Sequence, residues 1–542
     1  MTCSAFDGIF SYMPKTTLLL SIAFLLFSGG TIPGQTASQY DLVITNARII
    51  DGTGNPWFRG SVAIKNGRIA KVGWFDASEA KETIDARDHI VAPGFIDVHA
   101  HSENVFEQPN AENFIRMGVT TLITGNCGGS HTDIGEFLGK IGKTPIAINI
   151  STLIGHNSVR SRVMGLDDRA PTPDEQKKMN ELVEKAMREG AVGLSTGLIY
   201  LPGTFAKTEE VVELAKSASK FGGTYASHIR DEGTAVVDAI NEAINIGEQA
   251  KMPVEISHFK ISAKSLWGQN QKTLGLVRAA RARGMTVTVD QYAYPASSTS
   301  LDVRLPNWAV AGGREEGKKR LADPATRTKV IADMKKGMEE RGFTDYSYAF
   351  VATYRPNPEF NGKNIAQIAQ IGRGRDDLDS QIEQILDMYS QGGAQMVYQV
   401  MSEDDVKAIM AEPFTMIASD SGIRQFGAGV PHPRGYGNNA RVLGRYVREL
   451  KIITVEDAIR KMTSLPANTF GMRDRGQIRE GFAADIVIFD EKVVSDKATF
   501  DAPHQYAVGF TNVIVNGRSV FDGSKMTGAM SGQAIRGNGY RR

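Results

Sequence analysis

"GTYASHIRDEGTAVVDAINEAINIGEQAKMPVEISHFK", residues 223–260, holds two short apolar runs, each closing on a histidine, His228 and His258. Between them, "GTAVVDAINEAINIGEQAK" carries apolar residues at three- and four-residue spacing, the period of an amphipathic helix. A strand, a helix and a second strand of this length make one βαβ unit with parallel strands. Outward from it the same rhythm continues. "FIDVHAH", "TTLITGNC", "PIAINIST" and "AVGLSTG" precede it, and "TVTVDQYAY" and "FTMIASDSG" follow. Helical stretches such as "PDEQKKMNELVEKAMREG" and "TEEVVELAKSASKFG" lie between. Eight apolar strands alternating with helices predict an α/β chain built as a (β/α)8 barrel. The rhythm breaks at residues 296–397, where "REEGKKRLADPATRTKVIADMKKGMEERG" reads as helix. An insertion near the barrel mouth is expected there.

Both flanks of this body read differently. "YDLVITNARIIDG", "GSVAIKNGRIAKVG" and "TIDARDHIVAPG" alternate Val and Ile with Asn-Gly and Asp-Gly turns, the pattern of a small antiparallel sheet. "GQIREGFAADIVIFD" and "GFTNVIVNGRSVFDG" near the other end read alike. Neither piece is long enough to bury two faces alone, so the two are expected to join in one β-sandwich domain. The predicted division is 38–91 with 471–542 for the sandwich and 92–470 for the barrel.

The ends of the eight strands concentrate chemistry. Strand one ends with His99 and His101, which share a face because strand side chains alternate. Strand two ends at Cys127, strand five at His228, strand six at His258 and strand eight at Asp420. Each has an ordinary explanation alone: a satisfied core histidine, a small buried cysteine, a helix-capping aspartate. Together they converge, because the C-terminal ends of barrel strands share one mouth. Imidazole, thiolate and carboxylate in one pocket suit Zn²⁺.

The bulk composition excludes several classes. Lys and Arg number 62 against 61 Asp and Glu, a balance that suggests no basic surface for nucleic acid. Of two cysteines, Cys3 precedes the stretch "MPKTTLLLSIAFLLFSGGTIPGQTASQ" (13–39), and Cys127 follows it. That stretch has a basic start, a short apolar run and a small polar end, the layout of a signal peptide. Residues 1–37 are therefore expected to be removed near 34–38, exporting a chain with one thiol, no internal disulfide and no stable membrane insertion.

"PGFIDVHAHSE" (93–103) resembles the first-strand signature of the amidohydrolase superfamily. "GVTTLITGNCG", "IGHNSVR", "GLSTGLIYLPG", "SHIRDEG", "ISHFK", "SDSG" and "HPRGYG" are similar to segments of the D-aminoacylases, its N-acyl-D-amino-acid deacylase branch. The resemblance implies a firmly held zinc on Cys127, His228 and His258. It implies a second, weaker site at His99 and His101 with Cys127 bridging, and Asp420 as catalytic acid/base. It also implies that Lys260, Tyr292 and Arg434 hold the α-carboxylate of a small N-acylated amino acid. Arg304 is a candidate reader of an acidic side chain, and Tyr200 and His156 are candidate pocket residues. The expected reaction is hydrolysis of N-acyl-D-amino acids. A D-amino-acid dipeptidase, or a cyclic-amide hydrolase of the hydantoinase or dihydroorotase kind, is the alternative.

Overall fold

A computed structural model describes residues 38–541. The expected signal segment lies outside the described residues. Eight parallel strands close on themselves. Phe95–Asp97 pairs with Val119–Thr124, which pairs with Asn149–Thr152. That third strand runs on into Ile154–Gly155 and pairs with Gly193–Gly197. Thr224–His228, Val254–Ile256, Val287–Gln291 and Thr415–Ile417 follow in order. Ser421–Gly422 then pairs with Ala100–His101, and the Asp420 amide donates to the His99 carbonyl at 2.9 Å, which shuts the ring. The barrel strands are buried along their whole length, from Val119–Thr124 to Thr415–Ile417, as expected where helices cover one face and the barrel interior the other.

The helices follow their local signals. Pro173–Glu189 starts with Thr172 and Glu175 in a reciprocal capping box, with Pro173 in the first turn, and ends at left-handed Gly190. Val236–Ala250 buries Val236, Ile240, Ala243 and Ile246 against the barrel. It lies so close that a Cβ at Gly247 would fall 2.0 Å from the Val254 side chain.

The two flanks meet in one hydrogen-bonded network of eight strands. Ile90–Pro93 pairs antiparallel with Ile486–Phe489, which joins the N-terminal strands to Phe510–Val515 and Arg518–Phe521. Tyr40–Ile49 bulges at Asn46 and uses one edge twice, for Ala80–Asp85 and then for Ile90–Val91. The far strand, Arg68–Gly73, comes round to bridge Ala483. The sandwich is thus one sheet folded over an apolar cluster that includes Ile44, Val62, Ile64, Ile486 and Ile514. Within the C-terminal segment, residues 532–537 leave this sheet and run along the barrel. Ile150 donates to Gln533, Ile535 to Ile150 and Gly537 to Gly190, at 2.8–2.9 Å.

The insertion contains more than helix. Ser297–Ser300, Gln395–Tyr398 and Ala349–Thr353 form a three-stranded antiparallel sheet at its base. The long helical stretch divides into Arg314–Ala322 and Pro324–Glu340, because a residue before proline is disfavoured in the helical region. Asp323 caps the second helix through the Thr326 amide at 2.8 Å. No helix among the described residues is long and apolar enough to cross a membrane.

Candidate active site

The strand ends place their polar residues around one point, and three sit in the left-handed region that side chains ordinarily avoid: Cys127 (φ 52°), His258 (φ 35°) and Asp420 (φ 50°). Backbone strain of this kind persists only where the surroundings hold it, and three such positions carry functional side chains at the barrel mouth.

Cys127 Sγ lies 3.3 Å from His99 Nε2, 3.5 Å from His228 Nδ1 and 3.7 Å from His258 Nε2. A tetrahedral zinc with Zn–N about 2.0–2.1 Å and Zn–S about 2.3 Å separates its ligand atoms by about 3.4–3.6 Å. Cys127 thus stands at about metal-ligand spacing from each imidazole, and two ligand groups share it: one with His228 and His258, one with His99 and His101. His228 and His258 aim nitrogens at each other across 2.8 Å, and the other nitrogen of His228 is buried without a partner. Burial opposes ionisation of Cys127, but His99 and His228 outweigh it and hold the thiol well below its ordinary value. A preformed thiolate with imidazole donors fits a bound metal ion.

Carboxylates behind the cage fix its geometry. Asp290 accepts from His99 Nδ1 at 3.0 Å and from the His258 amide at 2.9 Å, turning His99 Nε2 toward Cys127. Burial and the neighbouring Asp290 push Glu255 well above the carboxylate range, while at Asp290 burial is outweighed by His99, which holds it below that range. Asp97 accepts from the Ser419 and His99 amides at 3.0 and 3.1 Å, stitching strand eight to strand one, and burial raises it to about 6. Glu232 lies 2.8 Å from His258 Nδ1 and also accepts from Lys260 Nζ. Burial disfavours its charge, yet Lys260 and His258 outweigh burial and keep it ionised. Removing that charge loosens the ligand that it orients. Glu232→Gln is expected to weaken metal retention by about 10- to 100-fold, read by competition with a chromogenic chelator; unchanged retention would discard this role.

Asp420 stands on the other side of His99 and His101. Its Oδ1 lies 3.3 Å from His101 Nε2 and 3.6 Å from His99 Nε2, and its Oδ2 lies 3.0 Å from Arg434. Burial raises its pKa, but Arg434 and His99 dominate and hold it well below the usual carboxylate range. His99, His101 and Cys127 group within metal-binding reach, as do His99, His258 and Asp420.

These groups open onto a cavity of about 750 Å³ that Lys260, Tyr292, Arg304 and Arg434 also line. Lys260 meets His258 Nδ1 at 2.8 Å as well as Glu232. Arg434 lies 4.4 Å over the Tyr292 ring, while the Tyr292 hydroxyl faces Met401 Sδ at 3.5 Å. Tyr200 packs its ring 4.7 Å from His228 and bonds Thr299 at 2.9 Å. His156 is a correction: it does not line this cavity, but sits fully buried with Nε2 2.8 Å from Glu210, beside Arg160. Sequence reading passed over Asp97, Glu232, Glu255 and Asp290. Asp290 had a signal, since it lies two residues before Tyr292 on the same strand face.

Comparison with known proteins gives concordant results. The sequence profile of the amidohydrolase family matches residues 82–521. D-aminoacylase of Alcaligenes xylosoxydans xylosoxydans is 34% identical over 526 residues, 92% of this chain and 99% of the relative. N-acyl-D-glutamate deacylase of the same organism is 34% identical over 89% of this chain and 94% of its own length. The crystal structure of N-acyl-D-glutamate deacylase from Bordetella bronchiseptica, complexed with zinc and a phosphonate inhibitor, superposes with a TM-score of 0.78. It shares 33% identity over 92% of this chain and 99% of that one. A D-hydantoinase structure shares the fold at 16% identity and a TM-score of 0.55.

Proposed function

The chain belongs to the amidohydrolase family, and we propose that it cleaves N-acyl-D-amino acids to a carboxylate and a free D-amino acid. It is a metal-dependent hydrolase. The observation that carries the reading is Cys127 Sγ set 3.3–3.7 Å from three imidazole nitrogens, with Asp420 alongside. Thiolate and imidazole donors favour zinc over harder cations, which prefer oxygen. Cys127, His228 and His258 would hold the firmly bound ion, and His99 and His101 would serve the second site. When bound, the metal supplies Lewis acidity toward the amide carbonyl and lowers the pKa of water.

The remaining steps fall to the protein. Asp420, ionised by its neighbours, starts as base and accepts a proton from the attacking water. The C–N bond then breaks as Asp420 returns that proton to the nitrogen, which leaves as a neutral amine. The substrate's α-carboxylate meets a cationic wall. Arg434 offers a planar fork and Lys260 a point charge with donors to spare beyond Glu232. Tyr292 supports Arg434 from below. Amine release from paired N-acetyl-D- and N-acetyl-L-amino acids tests the reading. D-selective release is expected; faster release from the L series would overturn it.

Arg304 suggests which D-amino acid. It lies 4.5 Å over the Tyr398 ring, its Nε is buried without a partner, and no carboxylate pairs with it among the described residues. An acidic substrate side chain would complete it. Arg304→Met is expected to lower kcat/KM for N-acetyl-D-glutamate by about 10- to 100-fold, the worth of a charge-assisted hydrogen bond. N-acetyl-D-leucine should be unaffected, and equal loss on both would refute the assignment. We further propose export of the mature enzyme; an N-terminus between residues 34 and 39 on the natural protein is the expected sequencing result, and retention of residues 1–33 would reject it.

A further inference from the structure

Cys127 and Tyr200 line a second cleft as well as the catalytic cavity. This cleft, of about 740 Å³, is formed by the loops after barrel strands two, three and four. Leu166, Leu201, Pro202 and Gly129 give its wall an apolar part, and Ser158 and Asn157 belong to its polar part. The one guanidinium in that wall, Arg162, is held by Asp133 at 2.9 Å. Leu166 is 36% exposed, an apolar side chain facing solvent beside a cleft of mixed polar and apolar lining.

Its position around the ring matters. Lys260, Tyr292, Arg304, Asp420 and Arg434 all follow strands six to eight, on the opposite side of the cage. For a substrate whose amine nitrogen meets Asp420, and whose carboxylate meets those cations, one direction for the acyl carbon leads away from both groups. That direction crosses the barrel mouth, past Cys127 and Tyr200, into the second cleft. We propose that this cleft is the acyl-chain subsite, and that the enzyme accepts linear acyl groups well beyond acetyl. The inference rests on the deacylase reading. The charged half of the substrate would be fixed by the cations, while the cleft, open to solvent at Leu166, sets no sharp limit on chain length.

Gly129 supplies a clean block. Its φ lies outside the left-handed region, and a Cβ there would meet nothing closer than the Asn126 carbonyl oxygen at 3.8 Å. Gly129→Phe therefore puts a ring into the cleft without straining the backbone. The experiment compares kcat/KM for N-acetyl-, N-butanoyl- and N-octanoyl-D-glutamate on the zinc-loaded full chain, with Gly129→Phe and Leu166→Asp alongside. A half-buried chain gains about twofold per methylene, so octanoyl is expected to exceed acetyl by at least about tenfold in the parent enzyme. Both variants should erase that gain and keep acetyl turnover within about twofold. Octanoyl no better than acetyl in the parent overturns the proposal, as does an equal effect of the variants on both substrates. Leu166→Asp, at an exposed position, decides the matter if Gly129→Phe fails to fold. Cleavage of no N-acyl substrate of any length would instead refute the deacylase reading.

Discussion

Asp420→Asn is expected to lower kcat by about three to four orders of magnitude while leaving the metal in place. General acid–base catalysis by one group is worth about 10²–10⁴-fold. The upper part of that range applies because one carboxylate serves both steps, taking the proton from water and returning it to nitrogen. Asparagine keeps the shape and one acceptor oxygen but cannot carry a proton between them. The 3.0 Å contact from Arg434 fixes the group, so the amide should occupy the same place. The expected signature is a collapse in kcat with little change in KM, since binding rests on the cations and not on Asp420. Zinc per chain should match the parent. Loss of zinc together with activity would move Asp420 from proton carrier to essential ligand, and undiminished kcat would remove it from the mechanism.

Cys127→Ala is expected to abolish both tight metal retention and turnover. Sγ stands within 3.7 Å of nitrogens on His99, His228 and His258. Without it, the cage keeps three imidazoles that would crowd one another if charged. The loss of metal forfeits several kcal/mol of transition-state stabilisation, and each 1.36 kcal/mol is about tenfold in rate. Turnover should fall by three orders of magnitude or more. An ion that binds only the native state adds about 4 kcal/mol of stability at a thousand times its Kd. The Tm of the parent should therefore drop on chelation and recover with added zinc, whereas the variant's should respond to neither. A variant that holds zinc as tightly as the parent would show that the histidines alone make the firm site.

Much of this site was legible because barrel strands advertise their ends. His228 and His258 each close an apolar run, His99 and His101 share a face by the period of two, and "GNC" and "SDSG" follow their strands directly. The carboxylates behind the metal were not. Glu232 sits in a loop four residues beyond His228, where no periodicity operates, yet it decides how Lys260 is paired. Lys260 read as a holder of the substrate's α-carboxylate, and its spacing reveals its face and not its neighbours. Asp97 and Asp290 were visible in "FIDVHAH" and "TVTVDQYAY" but look like ordinary strand polars until the fold brings Ser419 and His99 against them. In the insertion, "SSTS" is too short and polar to read as a strand, and only its antiparallel partner Gln395–Tyr398 makes it one.

The pairing of Ile90–Pro93 with Ile486–Phe489 also sets a clock. The two strands are separated by roughly 400 residues, which a ribosome adds in about 20–80 s at 5–20 residues per second. Throughout that interval the first half of the folded sheet carries a bare edge of four buried-type residues, Ile90, Val91, Ala92 and Pro93. Bare apolar edges recruit other strands. A growing chain must therefore stay guarded until its last tenth is made. A truncation anywhere before Ile486 would leave that edge without its partner strand, whatever remains intact at the metal site.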